Sequence, residues 1–153
     1  MILRESAKMI DYFSVAMCFC FDRNGRIWML QKRKDHEFYP ELWGIPGGKI
    51  RPKEKPFEAM LREIKEETGN DFPQESIELF LITNHRHRHK GSTIYFKLYT
   101  FASRSIFEKI ILDKNEHAHY LPVSPENLFK ADKRKILIPD TKEIYEMVVK
   151  IMK

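Results

Sequence analysis

Cysteine is scarce in this sequence of 153 residues. The only two cysteines, Cys18 and Cys20, stand two positions apart in an apolar run, so on a strand they would point to one face. That spacing is too local for a useful structural disulfide, which excludes a small disulfide-stapled scaffold. We interpret both as reduced core thiols rather than a metal or redox pair, because no second motif supports such a pair.

Long apolar runs are absent as well. No stretch of about 18 or more apolar residues occurs, which argues against a membrane-spanning helix. The opening residues, Met1 to Glu5, lack the uninterrupted apolar run of a secretory signal. Internal repeats and low-complexity linkers are also missing. We therefore expect a cytoplasmic protein with no membrane partner.

Acidic residues are outnumbered, with 22 Asp and Glu against 27 Lys and Arg, a net charge of +5. The basic residues are scattered, apart from one local run at Lys133, Arg134 and Lys135. Scattered charge is usually a solvated surface, so the excess favours an anionic partner only weakly. A phosphate-rich small molecule is our preferred partner, a nucleic acid is the alternative, and the oligomeric state stays open.

What the sequence does contain is an alternation of strand-like and helix-like segments. Apolar and strand-like runs predict strands over 13–21, 26–32, 77–83 and 92–102, and a short apolar segment lies over 41–45. Apolar residues at helical spacing predict helices over 56–68, 125–130 and 140–152. The mixture, with 42% apolar residues, predicts a single α+β or mixed α/β domain over residues 1–153.

Two of these strand assignments carry further expectations. The first two strands flank a turn containing Asn24 and Gly25, so we predict that they form a hairpin. The strand over 92–102 carries large side chains on both faces, with Tyr95, Lys97 and Tyr99 alternating against apolar residues. We therefore expect that strand to be largely covered.

The helix over 56–68 combines an apolar stripe with a cluster of carboxylates. Pro56 suits its first turn and Gly69 its C-cap. Glu63, Glu66 and Glu67 project together beside the apolar stripe, because residues three and four apart share a helix face. Carboxylate oxygens are the ligands that Mg²⁺ and Mn²⁺ prefer, although a bare acidic cluster is more often a solvated face.

The residues upstream of the cluster turn it into a specific motif. Gly48, Glu54, Arg62-Glu63, Ile64, Glu66-Glu67 and Gly69 stand at the spacing of the pattern G-x5-E-x7-R-E-U-x-E-E-x-G-U, where U is aliphatic. This resembles the Nudix box, the signature of hydrolases that act on nucleoside diphosphates linked to another moiety. Only the last position departs, because Asn70 replaces an aliphatic residue, and that puts the packing of the helix exit in question. The stretch WGIPGGK just before the box also resembles the family.

The resemblance implies a fold and an activity. The fold would be a Nudix-type α/β/α sandwich with a mixed sheet and a catalytic helix following a Gly-Gly loop. The activity would be hydrolysis of a phosphoanhydride by water, dependent on Mg²⁺ or Mn²⁺. Gly47 and Gly48 would permit the tight turn and close approach that this chemistry needs. Within the family, the chain resembles the MutT-like nucleoside triphosphate hydrolases most in its size and in the start of its motif. The alternative function is a catalytically silent nucleotide- or RNA-binding module.

The family's roles carry over onto matching positions. Glu63, Glu66, Glu67 and the carbonyl of Gly47 would hold metal, and either Glu63 or Glu66 would act as the base. Arg62 and Glu54 would orient these carboxylates. Glu116, in a late acidic loop, is a candidate further metal ligand or base.

Outside the box the assignments are alternatives. Arg33 would contact a phosphate or be an exposed strand-end cation, and Trp43 would stack on a base or pack in the core. His85, His87 and His89 alternate with arginines, which favours a polar hairpin tip. Contact of His87 with substrate, or a metal site, are the other interpretations of that stretch.

Overall fold

The computed structural model describes residues 10–104, 107 and 109–152. The strands are β1 (Ile10–Cys20), β2 (Ile27–Lys32), β3 (Trp43–Gly44), β4 (Gly47–Lys49), β5 (Ile77–His89), β6 (Ser92–Ser103) and β7 (His117–Val123). The helices are α1 (Pro56–Thr68), α2 (Pro125–Lys133) and α3 (Thr141–Met152), and a short 3₁₀ turn (Gln74–Ser76) precedes β5. None of these helices has both the length and the apolar character that crossing a membrane would require.

The strands form two sheets that share the core. The first is mixed, in the order β4-β1-β6-β5, and β1 runs parallel to β6 along its whole length. The second is antiparallel, in the order β3-β2-β7. Helix α1 covers one face of the mixed sheet, while α2 and α3 pack with the second sheet against the other. The predicted α+β sandwich with a mixed sheet is confirmed.

The predicted hairpin between the first two strands is wrong. A turn does follow β1, where Gly25 has φ 75° and the Asp22 carboxylate accepts hydrogen bonds from the backbone N–H groups of Asn24 and Arg26. Only the bridge between Phe21 and Ile27 joins the strands, because β1 then continues into the mixed sheet and β2 into the other. The reason is that β1 has apolar side chains on both faces and is paired on both edges, so no edge remains for β2.

Helix α1 forms over the predicted residues and buries the predicted stripe. The Glu58 side chain accepts a hydrogen bond from the Lys55 backbone N–H at the first turn, and Gly69 ends the helix at φ 77°. Its buried side chains Ala59, Met60 and Ile64 pack on the β1 face that carries Ala16, Cys18 and Cys20. The two cysteines are free, buried and on one face, as predicted.

The predicted hairpin tip lies at the end of the stretch over 84–91, and the histidines themselves are on the strand that leads into it. Strand β5 runs to His89, and the turn falls at Lys90 and Gly91, whose φ values are 49° and 77°. The stretch pairs with β6 residue by residue, from Arg88 opposite Thr93 to Ile82 opposite Tyr99, and this pairing satisfies its backbone groups.

The Gly-Gly segment differs from the expected loop. Gly47 and Gly48 lie in β4, paired antiparallel with Met17 and Ala16 of β1. A Cβ on Gly47 would lie 2.5 Å from the Ala16 carbonyl oxygen. The glycine is therefore required for close backbone approach rather than for a turn.

Asn70, the position that departs from the motif, fastens the exit of α1 by hydrogen bonds instead of apolar packing. Its side-chain amide donates to the Thr68 carbonyl at 3.0 Å and to the Lys109 carbonyl at 2.9 Å. The second bond ties the helix to a segment 39 residues further along the chain.

Asn70→Ala removes both bonds, and we expect it to lower the free energy of unfolding by about 1–2 kcal/mol. Urea denaturation monitored by circular dichroism measures this. Asn24→Ala is the matched control, because Asn24 lies exposed in a turn and bonds through its backbone N–H. Equal stability of the two variants would contradict the role given to Asn70.

Candidate active site

The Arg62 guanidinium organises the acidic end of α1. It donates hydrogen bonds to both carboxylate oxygens of Glu54, at 2.7 and 2.9 Å. Its Nη1 donates to Glu63 at 2.6 Å and to Glu66 at 3.3 Å. The other terminal nitrogen donates to the Lys49 carbonyl at 3.0 Å. One cation thus joins the loop before α1, two carboxylates of α1 and strand β4.

This clamp has a strong electrostatic effect. Hydrogen bonding to Arg62 lowers the pKa of Glu54 to about 2, and the same contact raises the pKa of Arg62 above its ordinary value. Both groups are therefore charged at neutral pH. The clamp also offsets the repulsion that Glu63 and Glu66 would otherwise exert on each other across the helix surface.

Glu63 occupies space that a glycine leaves open. Its side chain is largely buried, and a Cβ added to Gly48 would lie 2.5 Å from its carboxylate. Any larger residue at position 48 would displace this carboxylate. The second motif glycine is therefore explained by the position of an acidic side chain.

Glu67 is fully buried beneath the other two carboxylates. Its Oε1 accepts a hydrogen bond from the Gly47 backbone N–H at 3.2 Å, while Oε2 has no hydrogen-bond partner. Burial raises the pKa of Glu67, an effect that nearby Lys32 partly opposes. A buried carboxylate oxygen without a partner is costly, and it is the kind of atom that a cation can satisfy.

His117 and Glu116 complete the surroundings of Glu67. His117 Nε2 lies 3.7 Å from Glu67 Oε2 inside the protein, and burial lowers the pKa of His117 to about 3. Glu116 lies 3.9 Å from the Lys32 ammonium, and partial burial raises its pKa. The segment that contains Glu116 is thus brought next to helix α1, and a role of Glu116 as metal ligand or base stays a prediction.

A cavity of about 700 Å³ opens beside these groups. Its lining includes charged side chains, namely Lys32, Arg33, Asp35, Glu37, Lys49, Arg51, Arg62, Glu63, Glu66 and Glu116. It also includes apolar and aromatic side chains, namely Val15, Met17, Phe38, Tyr39, Phe96, Leu98 and Ile138, together with His36 and His87. Contacts divide part of the lining into two groups. Glu63 and Glu66 meet at Arg62, whereas the rings of Phe38, Tyr39, His87 and Phe96 contact one another in sequence, and we call this second group the aromatic end. Its size and division suit a small molecule with an anionic part and a flat apolar part.

A chain of hydrogen bonds holds Tyr39 and His87 in place at the aromatic end of the cavity. The Tyr39 hydroxyl lies 2.9 Å from His87 Nδ1, and His87 Nε2 lies 2.7 Å from Asp140 Oδ2, which also lies 3.0 Å from His85 Nδ1. Burial raises the pKa of Tyr39 to about 12, so its phenol stays neutral. Asp140 sits at φ 71°, an uncommon conformation for a residue with a side chain.

Of the three residues predicted to contact substrate, two line the cavity and one, Trp43, does not. His87 and Arg33 both line the cavity. Arg33 also donates to the Lys114 carbonyl at 2.8 Å, which ties the end of β2 to the turn before β7. Trp43 packs against the core beside Leu137 and is absent from the cavity lining, which agrees with its packing alternative.

Several lining residues were missed from the sequence. Lys32 faces Glu67 and Glu116, yet it ends an ordinary strand and carries no local signal. The segment between β2 and β3 supplies Phe38 and Tyr39 to the lining. The concentration of aromatic residues in this segment is the sequence feature that could have indicated a binding role. Asp140 meets His87 from 53 positions away, which sequence spacing does not reveal.

Over residues 10–104, 107 and 109–152, no group of three His, Cys, Asp or Glu side chains is arranged so that it could already hold a metal ion. Arg62 occupies part of the coordinating capacity of Glu63 and Glu66. The partnerless oxygen of Glu67 nevertheless fits a divalent cation close to these carboxylates.

The buried Glu67 carboxyl makes a testable difference to stability. Because its pKa is raised by folding, the unfolded state ionises first, and stability falls as the pH rises above the unfolded value of about 4.3. We expect Glu67→Gln to raise the melting temperature at pH 7 in a chelating buffer, with the gain shrinking towards pH 4. Differential scanning calorimetry across this range measures it.

Glu58→Gln is the control, because Glu58 is exposed on the same helix and a glutamine can still accept the Lys55 hydrogen bond. A Glu67→Gln protein that is less stable than wild type at pH 7 would show that the charged carboxylate is favoured in the fold.

Comparison with known proteins agrees with this geometry. A family model of the NUDIX domain matches residues 11–146. The Bacillus subtilis (strain 168) protein YjhB, provisionally named an ADP-ribose pyrophosphatase, is 29% identical over 101 residues, which is 65% of this chain and 46% of YjhB. Human diphosphoinositol polyphosphate phosphohydrolase 3-alpha is 36% identical over 56 residues, 35% of this chain and 32% of its own length. The chain thus spans less than half the length of these curated relatives.

A solved structure gives the same picture for the fold. The crystal structure of the MutT protein from Methanosarcina mazei Go1 superposes with a TM-score of 0.77 at 20% identity, covering 94% of this chain and 96% of that one. At this identity the likeness concerns the fold alone. Because the family model covers most of the sequence and the box residues meet around Arg62, this chain belongs to the Nudix domain family.

Proposed function

We propose that this protein is a divalent-metal-dependent hydrolase that cleaves a phosphoanhydride in a nucleoside diphosphate-linked or nucleoside triphosphate substrate. The observation that carries the proposal is the lining of the cavity, which contains the motif carboxylates Glu63 and Glu66 and a separate group of contacting aromatic rings. A nucleotide has the same division, with phosphates at one end and a flat base at the other. Membership of the Nudix family supports a hydrolase of this class.

The residues that would hold Mg²⁺ or Mn²⁺ are Glu63, Glu66 and Glu67, with Gly47 and Glu116 as further candidates. Their oxygens are hard ligands of the type these ions prefer, and Glu67 has a buried oxygen without a partner. When bound, such an ion neutralises phosphate charge and lowers the pKa of a coordinated water. Metal dependence also explains why an anionic substrate would approach an acidic cluster.

The protein's own groups would position the reactants. Arg62 holds Glu54, Glu63 and Glu66 close together, which would keep these carboxylates oriented towards the same reactants. Either Glu63 or Glu66 would accept the proton of the attacking water, since both border the cavity. Lys32 and Arg33 supply positive charge to the cavity lining, where phosphate oxygens would lie.

The aromatic end favours a nucleobase over other groups. Phe38 and Phe96 are flat apolar surfaces, and the fixed pair of Tyr39 and His87 offers polar edges beside them. The curated relatives are named for ADP-ribose and for diphosphoinositol polyphosphate. An inositol ring with many phosphates would gain little from the aromatic end, so we propose a nucleotide.

A catalytically silent binding module is the alternative. Loss of the glutamates would mark such a module, but Glu54, Glu63, Glu66 and Glu67 are all present and grouped by Arg62 or buried beneath it. The proposal would fail if purified protein with Mg²⁺ or Mn²⁺ hydrolysed nothing in a panel of nucleoside triphosphates, ADP-ribose, dinucleoside polyphosphates and diphosphoinositol polyphosphate.

Glu67→Gln tests the carboxylate assignment with two measurements. We expect kcat to fall by roughly two orders of magnitude or more, the scale seen when a group that stabilises transition-state charge is removed. We also expect Mg²⁺ or Mn²⁺ to raise the melting temperature of the wild type more than that of the variant. Glu58→Gln should match the wild type in both measurements, and full activity of Glu67→Gln would overturn the assignment.

His87→Ala tests the aromatic end. Losing the chain of hydrogen bonds from Tyr39 to Asp140 should raise KM for the preferred nucleotide about tenfold and change its preference among bases, while kcat changes less. Steady-state kinetics across the panel measures both. His119→Ala is the matched control, because His119 is exposed on β7 and does not line the cavity. An unchanged base preference in His87→Ala would place base recognition elsewhere.

A further inference from the structure

The mixed sheet has a second exposed surface, which the cavity does not use. The cavity lies on the sheet face that carries Val15, Leu98 and His87, so alternate residues point the other way. We call this opposite surface the Tyr95 face. It comprises Tyr12 and Ser14 of β1, Thr93, Tyr95, Lys97 and Tyr99 of β6, and Phe80, Ile82, Asn84, Arg86 and Arg88 of β5.

Strand β6 is largely covered, as expected, because Lys97 is its only exposed residue. The exposed large side chains of the Tyr95 face lie on the two neighbouring strands, β1 and β5. Tyr12 is 74% exposed and Phe80 53%. Helix α1 covers only the neighbouring end of the sheet, where Phe57 meets Phe101. Tyr95 and Tyr99, the rings of β6 next to Tyr12 and Phe80, are half-buried. Together the four rings form an aromatic group that is open to solvent on one side, which is a kind of surface that serves in interactions.

The rings form two stacked pairs. Tyr12 and Tyr95 lie with centroids 5.3 Å apart and planes 16° apart, and Phe80 and Tyr99 lie 6.1 Å and 21° apart. Tyr95 and Tyr99 are four residues apart on β6, which places the two pairs roughly 13 Å from each other. Lys97 lies between them on the same face and is exposed.

The charge of the face is of one sign. Arg86 stands opposite Tyr95 in the register and Arg88 opposite Thr93, and both arginines are exposed. Together with Lys97 they give three positive charges, and none of the residues that define the face is acidic. Flat rings thus alternate with cations along and across the strands.

The combination of aromatic rings and positive charges on the Tyr95 face favours some binding partners over others. A second copy of the chain packed on the same face by two-fold symmetry would bring two positively charged surfaces together, which is unfavourable. Single-stranded nucleic acid satisfies both features, because its bases stack on exposed aromatic rings and its phosphates pair with Lys and Arg. A duplex offers the phosphates but keeps its bases stacked on each other.

We propose that the Tyr95 face binds single-stranded nucleic acid, with bases on the Tyr12–Tyr95 and Phe80–Tyr99 pairs and phosphates on Arg86 and Lys97. The surface is separate from the cavity, so binding here and hydrolysis there are independent properties. The inference therefore stands whether or not the proposed hydrolase activity is found.

Fluorescence anisotropy with a labelled single-stranded RNA about 12 nucleotides long tests the proposal. We expect wild-type binding to weaken as salt rises from about 50 to 200 mM. The double variant Arg86→Glu with Lys97→Glu should bind at least tenfold more weakly, with a shallower salt dependence. The control is Lys133→Glu with Arg134→Glu, an equal charge reversal on exposed residues of α2 and its C-cap.

Tyr95→Ala and Tyr95→Phe separate stacking from charge. Tyr95→Ala should weaken binding roughly tenfold, whereas Tyr95→Phe should bind like the wild type because the ring is kept. Nucleotide hydrolysis should be unchanged in all these variants, and excess mononucleotide with Mg²⁺ should not displace the RNA.

Three results would overturn the proposal. One is equal RNA affinity of the Arg86/Lys97 double variant and the Lys133/Arg134 control. Another is a duplex of the same length binding as tightly as the single strand. The third is a wild-type dimer in sedimentation velocity that Tyr95→Ala dissociates, which would assign the face to a second copy of the chain.

Discussion

The contacts of the Arg62 guanidinium are the interaction on which the rest of the site depends. Carboxylates that must act together on one anionic substrate repel each other, so they need a cation that is always charged and can bond several of them at once. Arg62 does this for Glu54, Glu63 and Glu66 and also holds the Lys49 carbonyl. The acidic surface of α1 and strand β4 are consequently fixed relative to each other before any ligand binds.

Beneath this clamp the fold accepts an unfavourable arrangement. Glu67 is buried with a partnerless oxygen, and His117 beside it has a pKa lowered to about 3 by burial. Burying such groups lowers the stability of the fold, and most protein cores have apolar side chains at such positions. Their presence next to the cavity is most simply explained by a function that needs a carboxylate in that place.

The mixed sheet separates two chemically different surfaces by simple alternation. Side chains such as Val15, Phe96 and His87 point into the cavity, and their neighbours Ser14, Tyr95 and Arg86 point to the opposite face. A strand has a side-chain period of two, so a shift of register by one residue would exchange the two surfaces. The eleven-residue parallel pairing of β1 with β6 therefore fixes both the cavity and the Tyr95 face.

The sequence by itself determined helix α1, both of its ends and the grouping of Glu63 with Glu66. It also contained the motif that identifies the family. Those features depend on hydrogen bonds and side-chain spacing within about a dozen residues. Only the tertiary structure decided that β1 and β2 enter different sheets, that Glu67 is buried against His117, and that Asp140 holds His87. These features join residues far apart in the chain, and their energies come from packing and strand pairing that no short segment contains.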